Sequence, residues 1–97
     1  MSKVISLSGY APSIGSEDKA KEILHKIQES LKTVDVVLDF ENVQTMGTNC
    51  AKLIFGTLYK SMEAEMFFER INFIHTTPNI RRTIRLGIEF SLASEKS

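Results

Sequence analysis

The amino-acid sequence predicts one small α/β domain, a mixed sheet of about four strands with helices packed against it in the order β-α-β-α-β-α-β. Three stretches carry this expectation. The run Val36-Val37-Leu38-Asp39-Phe40 is short, rich in β-branched residues and bounded by turn formers, as a buried strand should be. Before it, Ala20, Ile23, Leu24, Ile27 and Leu31 fall on one stripe of a helix. After it, Cys50, Leu53, Ile54 and Leu58 repeat at spacings of three, four and eight, with Ala51, Phe55, Tyr59 and Met62 widening the same face. Helix, strand and helix in succession make the alternating pattern of an α/β sheet.

Each further element has its own signal. Val4, Ile5 and Leu7 suggest a first strand, and Gly9 and Pro12 interrupt pairing after it. Ser16 is placed to cap the first helix, with Glu17 and Asp18 in the first turn complementing its dipole. Glu17/Lys21 and Glu22/Lys26 are i,i+4 pairs in the favourable order, and His25 lies off the apolar stripe as a surface residue. The connection from Glu41 to Gly47 carries Asn42 and Gly47 as breakers, and Thr48 stands where an N-cap belongs. Met66, Phe67 and Phe68 either close the bottom of the core or form an exposed patch. Ile71-Asn72-Phe73-Ile74 reads as a strand, followed by Thr77 as N-cap and Pro78 at the first helical position. Ile80, Thr83 and Ile84 then face the core, and Arg81, Arg82 and Arg85 lie opposite. Gly87 fits a helix stop, and the alternation Ile88-Glu89-Phe90-Ser91-Leu92 favours a last, half-exposed strand over a continued helix. Residues 93–97 read as a frayed polar tail.

Composition excludes several function classes. With 97 residues there is room for a single core, so residues 1–97 are read as one domain. Twelve basic residues balance twelve acidic ones, and a neutral chain exerts no long-range pull on nucleic acid or anionic lipid; neither is expected as a partner. One cysteine, no membrane-length apolar run and no signal-type N-terminus fit a cytoplasmic protein. Phosphate-loop, zinc-binding and nucleophile motifs are all missing, so no enzyme activity, cofactor or metal is expected. Cys50 sits in a first helical turn, where a thiol can become reactive, and also on the apolar face, where cysteine is usually an inert small hydrophobe.

Two strand-to-helix junctions remain as functional candidates, at Thr48 and Thr77. At such junctions unpaired amides and the positive dipole end face outward. Fold analogy makes the loop 45–50 and the loop 75–79 neighbours.

The string Val37-Leu38-Asp39-Phe40, Val43 and Met46-Gly47-Thr48-Asn49 resembles the STAS fold, both the anti-sigma-factor antagonists and, more closely, the bacterial STAS-like family of unknown function. In the antagonists a V-x-L-D-L strand leads to M-D-S-S-G, whose second serine is phosphorylated by a GHKL-type ATPase kinase. Laid on this chain, the acid falls on Gly47, the first serine on Thr48, the phosphorylated serine on Asn49 and the glycine on Cys50. The acid is therefore missing, and Thr48 is the remaining candidate phosphoacceptor.

The resemblance implies a non-enzymatic regulatory module that docks a protein partner, a GHKL-type ATPase or kinase. The partner-binding residues would be Thr45, Met46, Gly47, Thr48, Asn49, Ala51, Lys52 and Phe55, with His75, Thr76 and Thr77 as a secondary loop. The alternative is a small-ligand or nucleotide sensor using the same helix N-terminus. The chain is expected as a monomer or a weak homodimer, the latter paired through its last strand.

Overall fold

The computed structural model describes residues 2–96, with side chains described as far as residue 93. The elements are β1 (Ser2–Ser6), a short 3-10 turn (Ser8–Tyr10), β2 (Ser13–Ile14), α1 (Glu17–Leu31), β3 (Asp35–Asp39) and β4 (Thr45–Met46). Helix α2 follows as three consecutive pieces, Thr48–Ala51, a π-helical turn Lys52–Gly56, and Thr57–Ser61; then come α3 (Ala64–Arg70), β5 (Ile71–Ile74) and α4 (Pro78–Lys96).

The helices pack on a three-stranded sheet of order β1-β3-β5, and β2 and β4 form a separate two-stranded ribbon. Register places Ile5 beside Leu38 and Leu38 beside Phe73, so one row of apolar residues crosses the sheet. Ile5, Val36, Leu38 and Ile71 are buried under the helices, whereas Val4, Asn72 and Ile74 on the opposite face are exposed. Alternation along a strand sends successive side chains to opposite faces, so this is a sheet covered on one side.

Helix α1 forms as its sequence dictates. The Ser16 hydroxyl accepts from the Lys19 amide at 3.2 Å, Ala20, Ile23, Ile27 and Leu31 are buried, and Lys21–Glu17 and Lys26–Glu22 pair at 3.2 and 3.7 Å. Its C-terminal end is held from elsewhere. The Arg70 guanidinium, from the last turn of α3, donates to the carbonyls of Leu31 at 2.6 Å and Val34 at 3.2 Å and to the Asp35 carboxylate at 3.1 Å. One planar fork thus satisfies orphan carbonyls at a helix terminus and ties α1, β3 and α3 together.

The α/β architecture is as expected, and its strand pairings among the described residues are parallel. The structure corrects the sequence reading at the C-terminal end. Residues 88–92 are helical, because α4 continues through Gly87 to Lys96. Pairing of two copies through a strand at 88–92 is therefore not available, and α4 runs on over residues 93–96; Ser97 lies outside the described residues. Residues 66–68 belong to α3, where Phe67 is buried and Met66 and Phe68 are exposed.

Gly87 does not stop a helix; it lets two helices touch. A Cβ added there would lie 2.6 Å from the Ala51 carbonyl carbon and 2.7 Å from the Lys52 amide nitrogen. One turn along, a Cβ on Gly56 would meet Ser91 Cβ at 2.6 Å. Backbone cannot swing aside as a side chain can, so each added methyl would force α2 and α4 apart. The buried residues Ile80, Thr83, Ile84, Gly87 and Ser91 recur at helical spacing along this contact.

Gly87→Ala is expected to destabilise the fold. Alanine returns about 1 kcal/mol of helix propensity, but overpacking against backbone costs about 1–3 kcal/mol and the close approach puts this site at the upper end. Urea melts should show a net loss, while Gly9→Ala, with open space around it, should stay within about 0.5 kcal/mol. Arg70→Ala should cost about 2 kcal/mol in the same assay, and Arg70→Lys should recover little, since an ammonium cannot span the three acceptors.

Candidate functional site

The stretch 45–49 is fixed from two sides. β4 pairs in parallel with β2, Ser13 beside Thr45 and Ile14 beside Met46. The Thr45 hydroxyl donates to Ser13 Oγ at 2.8 Å, the Gln44 amide to the Pro12 carbonyl at 2.8 Å, and the Gly47 amide to the Ile14 carbonyl at 2.8 Å. Met46 is buried beneath this ribbon, so the loop has an apolar anchor as well as backbone pairing. The Ala51 amide then donates to the Gly47 carbonyl at 3.0 Å and α2 begins.

The candidate residues separate into two groups. Thr45, Gly47 and Asn49 are exposed, and Thr48 and Lys52 are half-buried. These form a contiguous surface at the start of α2. Ala51 and Phe55, expected on that surface, are fully buried; they face α4 and the sheet, and belong to the core with Met46. The helical period explains the error: positions 51 and 55 share the stripe that packs inward, and a wide apolar face leaves one side only for solvent.

Thr48 is not the N-cap. Gly47 occupies that position with extended backbone (φ −64, ψ 141), and no side chain closes the first turn. The amides of Thr48, Asn49 and Cys50 thus lack intrahelical partners. Gly47 is not needed for its flexibility, since its φ is ordinary and a Cβ there would meet Cys50 Sγ at 3.7 Å and the Ile14 carbonyl at 3.8 Å, normal contacts. Thr77, by contrast, caps as its sequence position predicts, accepting from the Ile80 amide at 3.1 Å.

The two loops are neighbours. Asn79 Nδ2 donates to the Gln44 carbonyl at 3.5 Å, and the Phe40 amide donates to the Ile74 carbonyl at 3.0 Å. At the end of β3, Asp39 Oδ1 accepts from His75 Nδ1 at 2.8 Å and from the Glu41 amide at 2.9 Å. Glu41 Oε2 stands 4.0 Å from the same imidazole nitrogen. His75 holds this position in the left-handed backbone region, φ 56.

The hydrogen bond from His75 and then the one from the Glu41 amide hold the Asp39 carboxyl below its usual range; Asp39 in turn raises His75. Asp39, Glu41 and His75 present ligand-type atoms within 4.8 Å of one another, a set that could hold a cation. The sequence reading missed this cluster. Its only sequence-level trace is that Asp39 stands next to last in one expected strand and His75 directly follows the other.

Cys50 resolves to the inert alternative. It is buried, its thiol donates to the Ser16 carbonyl at 3.5 Å, and burial followed by the nearby Glu17 pushes its pKa up, away from thiolate reactivity. Beside it, a cavity of about 570 Å³ runs from the start of α1 along the length of α2, bordered by Gly15, Asn49, Lys52, Thr57 and Lys60.

The Asp39–His75 pair makes a pH prediction. His75 should titrate above its ordinary 6.5, and Asp39→Asn should bring it back down. A raised histidine stabilises the fold fully below its unfolded pKa and loses that contribution as pH rises through the folded pKa. Depressed Asp39 contributes above its ordinary 3.8 and loses this as pH falls through its folded pKa. The pair therefore contributes most on the acid side of neutrality, and two-dimensional NMR of the imidazole across pH 4–9 is the check (roughly the span between the two groups).

Neither a curated protein nor a solved structure matches the chain. No helix of the described residues is long and apolar enough to cross a membrane. The family comparison does give a match. It covers residues 19–81, more than half of the chain, from the first helix through the β3–α2 junction to the start of α4. The chain belongs to the family of STAS-like domains of unknown function (DUF4325).

Proposed function

We propose that this STAS-like domain is a non-enzymatic regulatory module that docks a protein partner through the start of α2. The carrying observation is the surface itself. Thr45, Gly47, Thr48, Asn49 and Lys52 stand together on a rigid ribbon-and-helix junction whose first turn no side chain closes. Amide donors and small polar groups suit a partner's carbonyls or carboxylates better than they suit an apolar contact. The resemblance to anti-sigma-factor antagonists makes a GHKL-type ATPase or kinase the expected partner, in a cytoplasmic signalling setting.

Thr48 supplies the switch in this reading. It is the first helical residue and half-buried, so a phosphate on it would be welcomed by the helix dipole and resisted by a docked partner through bulk and desolvation. A second reading, a small-ligand or nucleotide sensor, draws support from the cavity beside Asn49 and Lys52. Its volume of about 570 Å³ lies within the usual range of small-molecule sites, about 300–1,000 Å³.

Thr48→Glu should leave the melting temperature unchanged, because an acid in a first turn is favourable. It should also abolish capture of a GHKL-fold protein that the wild-type bait retains, read by mass spectrometry and then by titration calorimetry with the purified pair. Equal affinity for wild type and variant would remove the docking surface from this junction. A rise in melting temperature of wild type with a nucleotide, by mass action, would move the sensor reading ahead.

A further inference from the structure

We propose that the outer edge of β5 is a second docking site, which takes an extended protein segment of alternating apolar residues with an acidic end as an added strand. The site is separate from the junction at 45–49 and does not depend on how that junction works.

Two independent features meet at this edge. The first is backbone. Among the described residues β5 is the outermost strand of the sheet and pairs with β3 alone. The Ile74 carbonyl accepts from Phe40 on the β3 side. Because peptide groups alternate along a strand, the N–H and C=O of Phe73 point away from β3, to the unpaired edge. The second is a gutter beside that edge, about 320 Å³, lined by Tyr59, Phe68, Phe73, Ile84, Ile88 and Leu92. Phe68 in it is 61% exposed, a large apolar group left in water. A right-handed crossover through α4 would lead to a strand at this position, and among the described residues none is there. α4 overhangs a place in the sheet that none of the described residues occupies.

Charge selects the occupant. Arg81 and Arg85 also line the gutter and are exposed, with Arg82 beside them, and among the described residues their guanidinium groups make no ion pair. Among the described residues Glu89 is the one carboxylate on the rim. Both arginines sit on the first turns of α4, next to the end of β5, so the acidic end of the segment belongs beside Ile74 and its apolar part beside Phe68. Carboxylates two residues apart on a strand are ~6.6 Å apart, close to the ~6 Å between successive turns of a helix, so one acidic pair can meet both arginines. Main-chain bonds at the edge would give affinity, and alternate side chains in the gutter would give selectivity.

The test uses the whole chain and nine-residue synthetic probes carrying valine at alternate positions, with two glutamates at one end or at the other. Control probes replace glutamate with lysine. One glutamate probe should bind at least about tenfold tighter than its lysine control, by fluorescence anisotropy. Binding should weaken to a similar degree in Arg81→Ala/Arg85→Ala and in Phe68→Glu. Since Phe68 is exposed, that variant should keep its fold, checked by its melt. Hydrogen exchange of the Phe73 amide should slow in the complex.

Binding without protection of Phe73 would rule out strand addition. Equal affinity for both probe charges would remove the arginines from the site. Protection of β1 amides instead, self-association that occludes the edge, or no binding by any probe would each overturn the proposal.

Discussion

The closest constraint in the molecule is the contact between α2 and α4. Gly87 lies against the backbone of Ala51 and Lys52, and Gly56 against Ser91, with no room for a single methyl at either place. Packing this close is possible only with small residues, and it fixes both helices along their length. α4 is thereby held as one continuous rod across the helical layer instead of turning back into the sheet. That rod closes the core over Ile54, Phe55 and Ile80, all fully buried. The aromatic side chains of Phe55, Phe67 and Phe73 then fill the space between the helices and β5, with the Phe73 ring centroid 5.7 Å from that of Phe55 and 6.5 Å from that of Phe67.

The two ends of this helix pair face different tasks. At the N-terminal ends, α2 and α4 both start from the carboxyl side of parallel strands, and Asn79 ties one junction to the other through the Gln44 carbonyl. This is where parallel sheets gather functional groups. Asp39 and His75 meet there because β3 and β5 run in register, Asp39 beside Ile74. From the first turns of α4 toward its other end, an apolar gutter lies open beside β5. A domain of this size therefore offers two distinct surfaces whose relative position is set by one rigid crossing.

Much of this was legible from residue order alone. Ser16, the apolar stripe of α1 and the Thr77–Pro78 start of α4 each carry a local signal that tertiary structure did not override. The strand at 35–39 and the placement of the 45–49 junction were legible for the same reason. Gly87 was not, because glycine ends helices and also permits close helix contact, and only the partner distinguishes the two. Residues 88–92 alternate in polarity, yet their burial follows the helical spacing set by Ile84, Gly87 and Ser91. Ala51 and Phe55 were already on the apolar face of the local pattern, and their burial agrees with it; they were put on the docking surface only with the resemblance, which locates a junction and does not say which of its side chains face outward. The Asp39–Glu41–His75 cluster and the Arg70 fork join residues more than thirty positions apart, and no local pattern announces them.

The π-helical turn at Lys52–Gly56 has a consequence for how this helix can change. A π turn holds an extra residue relative to an α-helix. The four residues before it and the five after it are thus out of phase, and both phases are pinned, the first by Ala51 against Gly87 and the second by buried Leu58 and the Tyr59 ring against Phe67. Removing one residue from the turn would relax it to ordinary helix while rotating Thr48 and Asn49 by about 100° relative to Tyr59. A substitution on the exposed side of this helix can be absorbed where it stands; a change of length cannot, because the reading frame of its surface is written in that single additional residue.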